Sequence, residues 1–410
     1  MDINTRKLTF QYCVIQACYW GSCSTIYGFA VVFLSSRGYE SSNIGIIIAA
    51  ASIFGFSLQP VLAGIADSGK HFDFLTVCKI SFVMLLCFLV AMGFWQKDGY
   101  LSAFIFFLVL GVIWAVQPLV NAISIYYVNR GISLDFGSTR ACGSIAYSII
   151  SLMIGGLISR FNVRIIPFTA LILTGVCTIT LWRLPYVENS DVKTETKQIY
   201  STKGSVFFKK YTSFSVMLLA ILCMYIFHNF TGNYMIYFLE QMGGDSGNLG
   251  ISNAIAAMSE LITLFGFTFW VRKISSKKML AIAGGFFIAK GIGYLLARNV
   301  MTIYMVQLLQ IGSFALLTGA SVHYTNEEME AGDKYKGQAY MSGMNAMGCV
   351  IGSLAGGFIL SFKGVRSLYV FALIIGIIGF ILSIISLRMR RVINANHEEA
   401  TSYIDKMKNE

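Results

Sequence analysis

One carboxylate, Glu260, falls in the middle of a long apolar stretch; the other acidic residues, among them Glu40, Asp67, Asp98, Asp135 and Glu240, lie in or beside polar breaks or in the tails. A carboxylate at the centre of a bilayer is costly unless it faces a cavity or a partner, so an intramembrane Glu is by default a candidate for handling ions or substrates. Three further ionisable side chains invite the same reading: Arg140, His228 and Lys290. Burial and a cationic neighbour act in opposite directions on a carboxyl group's hold on its proton. A Glu260–Lys290 pair that rearranges would therefore switch Glu260 between proton holder and carboxylate, the minimum for a proton-coupled carrier. A fixed strut is the competing role, because burying either charge alone is expensive. For a lone His228, hydrogen-bonded packing is the commoner role and a proton relay the alternative.

Neutral polar residues at helical spacing supply the rest of a cavity. Gln117, Asn121 and Ser124 are spaced i, i+4 and i+7 and share one helical face. Tyr12, Gln16, Trp20, Cys23 and Tyr27 form a second stripe, and Arg140, Ser144, Tyr147 and Ser151 a third. Gln338, Ser342 and Asn345, then His228, Thr231 and Asn233, then Gln307 and Gln310 complete the set. Aromatic faces combined with amides and hydroxyls suit a polyol or a planar ring, since the polar groups orient a ligand while the rings give apolar contact. The competing role for each neutral residue is an interhelical hydrogen bond.

The elements that must carry these residues are membrane spans. In a chain of 410 residues, 56% hydrophobic and 12% charged residues with a mean hydropathy of +0.67 rule out an ordinary soluble domain. Apolar runs long enough to cross the hydrocarbon core, roughly 20 residues, fall near 10–34, 44–66, 74–94, 101–128, 138–159 and 164–184. Six more fall near 212–238, 249–271, 279–297, 300–324, 338–361 and 366–387. The aromatic-rich, almost Pro-free content suits helices; a barrel would alternate polar and apolar residues. The first run is too long for a cleavable signal and lacks a small-residue cleavage site. Nine scattered cysteines show no metal-ligand spacing and read as small buried apolar residues. No paired carboxylates, Ser–His constellation or Gly-rich phosphate loop is present to support an enzyme, and no cofactor is implied.

With the N-terminus cytoplasmic, the inside segments hold 19 Lys and Arg and the outside loops 7 (Arg37, Lys97, Arg160, Arg164, Arg298, Lys363 and Arg366). Both termini are therefore expected in the cytoplasm of a cell (inner) membrane. The net charge of +11 is then attraction to anionic lipid and gives no argument for nucleic acid. A polar stretch over 186–211 divides the chain into bundles 1–185 and 212–390, with a tail at 391–410. Weak repeats support the division: GIIIAAASIFGF from Gly45 resembles GISNAIAAMSELITLFGF from Gly250, and Gly155–Gly156 resembles Gly356–Gly357, at offsets of about 205 and about 200. Parallel repeats of this kind place a substrate site between two bundles at mid-depth.

LDFGSTRACGSIAY at 134–147, QPVLAGIAD at 59–67 and AAMSEL at 256–261 resemble segments of the major facilitator superfamily, in its lactose permease and phenylpropionate permease branch. The resemblance covers nearly the whole chain. It implies an all-α fold of 12 transmembrane helices in two pseudo-symmetric six-helix bundles, working as a monomer by alternating access. It implies that Arg140 contacts substrate and Tyr147 stacks on it, that Glu260 joins substrate binding to proton handling, and that Lys290 takes the place of an Arg that aids deprotonation. Asp67 is the implied cytoplasmic gate, although Ala63, Lys70 and His71 depart from the usual loop pattern. Asn121 replaces a substrate-binding Glu, and Gln307, Gln310 and Ser313 replace a Lys, a His and a Glu, so the lactose mechanism does not carry over intact. The expectation is a secondary transporter coupling protons to uptake of a sugar, nucleoside or aromatic acid, with Asn121, Arg140, Tyr147, Gln16, Trp20, Gln117, Gln307, Gln310 and Asn345 at the substrate. Glu260, Lys290 and His228 serve coupling. Proton-antiport export of drugs or metabolites is the alternative.

Overall fold

The computed structural model describes residues 4–68, 72–95, 97–132, 134, 136–187, 204–330 and 332–389. Lys70, His71, Asp135, residues 188–203 of the linker and the tail 391–410 lie outside the described residues, as does the side chain of Asp67. Every regular element among the described residues is helical. In chain order they are α1 (Thr5–Ile26), α2 (Ala30–Ser36), α3 (Ser41–Ser68), α4 (Phe74–Phe94), α5 (Tyr100–Val128), α6 (Phe136–Arg160) and α7 (Ile165–Trp182). After the linker come α8 (Gly204–Lys210), α9 (Thr212–Asn233), α10 (Met235–Gln241), α11 (Ser246–Lys273), α12 (Ser276–Leu296), α13 (Val300–Leu308), α14 (Phe314–Glu328) and α15 (Lys334–Arg388).

Lipid offers backbone amides no partner, so a spanning segment must satisfy them within itself, as a helix does. Among the described residues, ten helices are long and apolar enough to cross a membrane, or eleven if α1 and α2, bent by 41°, form one span. Polar breaks supply the caps: Asp73 accepts from Leu75 N, Asn299 from Thr302 N, and Asp245 and Asn248 form a reciprocal capping box at α11. The 55-residue α15 is interrupted by Gly364 at φ 77°, ψ 175°, a conformation that a residue without Cβ adopts at little cost. Three other breaks fall between α1 and α2, at Tyr234 between α9 and α10, and at the 3-10 turn Leu309–Ile311.

Helices α1 and α3–α7 pack among themselves, α1 on α6 and α7, α3 and α4 on α5. Helices α9–α15 form a second group, with α15 on α9 and α12. The groups meet where α6 runs along α11 and where α3 runs along the first part of α15. The repeat glycines sit at these crossings. A methyl on Gly155 would lie 2.9 Å from Gly250 Cα, and one on Gly45 would lie 3.2 Å from Gly357 Cα and 2.9 Å from the Tyr234 hydroxyl. Such close approach requires that no side chain intervene.

Both crossings lie at the helix ends remote from the chain termini. Cross-group hydrogen bonds gather at and just below this level: Gly247 N donates to Ser159 Oγ (2.9 Å), Ser148 Oγ to the Ala254 carbonyl (3.0 Å), and Tyr27 to Asn229 (3.0 Å) and Asn233 (2.7 Å). Ser52 Oγ meets Cys349 Sγ at 3.3 Å. Toward the termini the polar side chains of α5, α6 and α15 between the groups stay partly or fully exposed, Asn121, Arg140 and Asn345 among them. Among the described residues, the groups thus clasp at one end, and toward the other a cleft lined by these polar side chains lies between them.

Candidate functional site

Arg140 is held on the first group by a ladder of polar contacts that begins at a backbone. The Tyr12 hydroxyl donates to the carbonyls of Val120 (3.2 Å) and Asn121 (3.3 Å), tying α1 to α5. Gln16, one turn along, donates to that hydroxyl at 2.8 Å and accepts from the Trp20 indole N–H at 3.1 Å. The indole face carries the Arg140 guanidinium 4.0 Å from its centroid, a cation–π contact, and Arg140 Nη1 donates to Ser144 Oγ at 2.9 Å one turn along α6. Gly143 lets the two approach, since a Cβ there would lie 2.5 Å from Trp20 Cδ1. Successive helical turns spaced at i, i+4 thereby orient one planar cation toward the cleft. A guanidinium so fixed suits carboxylate or hydroxyl groups that can take two parallel bonds.

On the second group, Glu260 of α11 is partly exposed to the cleft and accepts from Gln310 Nε2 at 3.0 Å. The other end of that amide, Gln310 Oε1, accepts from Lys290 Nζ of α12. Lys290 and Gln310 are 3% and 2% exposed, so neither meets solvent freely. The anion and the ammonium are therefore joined through a neutral amide set at the 3-10 turn, where the break between α13 and α14 brings Gln310 between α11 and α12. Glu260 lies within electrostatic reach of both Lys290 and, across the cleft, Arg140.

The remaining sequence candidates fall into distinct places. Gln117, Asn121 and Tyr147 are partly exposed toward the space between the groups, and Asn121 Oδ1 accepts a long 3.5 Å bond from Gln16. Gln16 is fully buried and occupied with Tyr12 and Trp20, which places it behind the ring it orients. Gln307 is also buried, donating to Ser252 Oγ (2.8 Å) and accepting from Tyr294 (3.2 Å). Asn345 is exposed one turn from Cys349 on α15, on the termini side of the Ser52 contact. His228 stacks on Phe314 with ring centroids 4.0 Å apart and planes 19° from parallel. Asp67 closes α3, and its side chain is outside the described residues.

Two residues were not singled out from the sequence. Asn229, 4% exposed, takes the Tyr27 hydroxyl from the other group, and the i, i+4 spacing of Asn229 and Asn233 was the available signal. Trp114 packs edge-on against Tyr27 at 5.0 Å, one turn before Gln117 on the same face of α5. Among the described residues, no three His, Cys, Asp or Glu side chains gather as a metal site would need.

The same architecture is found among known proteins. Residues 11–371 match the MFS_1 like family. The "Uncharacterized transporter YwbF" of Bacillus subtilis (strain 168) is 20% identical over 399 residues, covering 93% of this chain and 94% of that protein. "Multidrug resistance protein 2" of the same organism is 28% identical over 161 residues, so the match spans 39% of this chain and 40% of that protein. Among solved structures, the nucleoside transporter NupG superposes with a TM-score of 0.73 at 15% identity, covering 95% of this chain and 100% of that one. A bacterial homolog of the human lysosomal transporter Spinster, in an inward-facing and unoccupied conformation, gives 0.70 at 13% identity over 95% and 98%. At these identities the likeness is one of fold.

Proposed function

The chain belongs to the MFS_1 like family and is a multi-pass membrane transporter of the major facilitator type, and we propose that it couples protons to the uptake of a small organic solute by alternating access. We count α1 with α2, α13 with α14, and the two sides of Gly364 as spans, giving twelve in two bundles divided at 186–211. The basic-residue bias puts both termini in the cytoplasm of the cell membrane, so the clasped end is external and the cleft opens inward. Resemblance of residues 134–147 to the lactose and phenylpropionate permease branch supports uptake.

The observation that carries this reading is Glu260, a half-buried residue at mid-span whose carboxylate is held by Gln310 and lies within electrostatic reach of Lys290 and Arg140. A proton entering the cleft and a substrate held by Arg140 then meet on one carboxylate, so binding of one changes the field felt by the other. Trp20 and Tyr147 supply ring faces, and Asn121 and Gln117 supply amides, which suits a sugar, a nucleoside or an aromatic acid.

The test has two stages. A thermal-shift screen against oligosaccharides, nucleosides and aromatic acids finds a binder. Reconstituted Glu260→Gln vesicles should then exchange that compound across the membrane and fail to accumulate it against a gradient. Unchanged accumulation overturns the proton role. Export in exchange for protons is the second reading, favoured by the partial match to a multidrug resistance protein; the direction of proton flux accompanying transport separates the two.

A further inference from the structure

We propose that Gln310 is a positioning residue that transmits the protonation state of Glu260 to Lys290 by turning over its side-chain amide. The inference rests on the proton role proposed for Glu260 and adds a moving part to it. An ammonium can only donate and an ionised carboxylate can only accept. With both charged, the amide must present oxygen to Lys290 and N–H to Glu260, as it does. Its dipole then lies head to tail between cation and anion, and each end secures the other.

A proton arriving on Glu260 forms an O–H bond and turns one carboxyl oxygen into a donor. The Gln310 amide already bonded to Glu260 carries an oxygen, which reaches that donor if the amide turns over. The turned amide presents N–H to Lys290, which cannot accept it. Lys290 thus loses its acceptor while remaining buried, a costly position for a charge, and the Tyr294 ring at 5.9 Å is a weak substitute. Its ammonium is then driven to seek an acceptor in the cleft, where substrate oxygens would be. Loss of the proton reverses each step. Gln310 suits this role because it is 2% exposed, so bulk water does not screen or replace its bonds. It also sits on a one-turn 3-10 break and not within a rigid helix.

Other titratable groups face the same chain. Arg140 and Tyr147 on α6 face Glu260, and His228 on α9 faces Lys290, which stands on α12. None of these accepts from Lys290 in place of Gln310, since Lys290 donates to Gln310 alone among the described residues.

Infrared difference spectroscopy of the purified full-length chain during a pH titration tests this directly, with protons as the probe. The Glu260 carboxyl band is identified by its loss in Glu260→Gln, and the Gln310 amide band by its loss in Gln310→Leu and displacement in Gln310→Asn. The expected result is that both bands change with a common midpoint in the native protein, and that the amide band becomes independent of pH in Glu260→Gln. Gln310→Leu should move the carboxyl midpoint by about one pH unit, the equivalent of one lost charge-assisted hydrogen bond. A titrating carboxyl beside an unmoving amide band overturns the relay while leaving the proton role intact. A carboxyl that never titrates overturns both. A packing role alone would lower the melting temperature of Gln310→Leu and leave the spectral midpoint where it was.

Discussion

Gly155 of α6 and Gly250 of α11 lie backbone to backbone, so that a methyl group on Gly155 would stand 2.9 Å from Gly250 Cα and 2.6 Å from the Ser246 carbonyl oxygen. Gly45 and Gly357 repeat the arrangement between α3 and α15. Two contacts built on absent side chains hold one end of the cleft shut, which makes closure sensitive to single added atoms.

Gly155→Leu should therefore pry the clasped end apart. Backbone at the crossing cannot yield, and the populated state should move to one open at that end. Cys349, buried 3.3 Å from Ser52 at the companion crossing, would become accessible. Mass spectrometry after treatment with a water-soluble thiol reagent should find Cys349 modified in the variant and protected in the native protein. Equal protection in both would count against the clasp.

Tyr27→Phe removes the hydroxyl shared by Asn229 and Asn233 while keeping the ring against Trp114. Because Asn229 is buried, its oxygen is left without that donor, a cost of about 1–3 kcal/mol to the clasped state. Distances between spin labels placed across the two crossings should lengthen in a larger fraction of molecules. An unchanged distribution would show the hydrogen bonds to be incidental.

Arg140→Lys keeps the charge and loses both the planar contact with Trp20 and the fork of donors. Binding of whichever compound the thermal-shift screen identifies should weaken by about tenfold, the effect of roughly 1.4 kcal/mol. Gln16→Leu should weaken it by a smaller factor of about five, acting through a loosened Trp20 with no direct contact to the compound. If Arg140→Lys binds as well as the native protein, charge alone suffices and the ladder is structural.

Acid should loosen the clasped end through Asp245. The neighbouring Ser159 hydroxyl of the other group is the main cause holding its carboxyl below the usual range, with the α11 N-terminal amides of Asn248 and Gly247 assisting. A lowered folded-state value means the contribution is present above the unfolded value, near 3.8, and is lost as pH falls through the folded one. The melting temperature of the native protein in detergent should consequently fall more steeply below about pH 4 than that of Asp245→Asn. Parallel curves would remove Asp245 from the clasp.

Much of this arrangement was legible before any coordinates. Glu260, Arg140 and Lys290 announce themselves because a charge within an apolar run of spanning length is expensive wherever the helix turns it. The glycine repeats were visible for a related reason: glycine weakens a helix and is kept where another backbone must come close. The i, i+4 stripe of Gln16 and Trp20 correctly put both on one face of α1. Spacing alone could not tell the half-buried ring from the fully buried amide behind it.

The order of apolar runs, their polar caps and the places where charge enters lipid follow from the sequence, because helix formation and membrane burial depend on residues within one segment. Which groups meet across segments was decided by the tertiary structure. Glu260 and Lys290 are linked through Gln310, 50 residues from one and 20 from the other, because the break at Leu309–Ile311 sets an amide between two helices. Packing fixes such a contact through the rotation and depth of whole helices, quantities to which every residue of the bundle contributes and no local pattern corresponds.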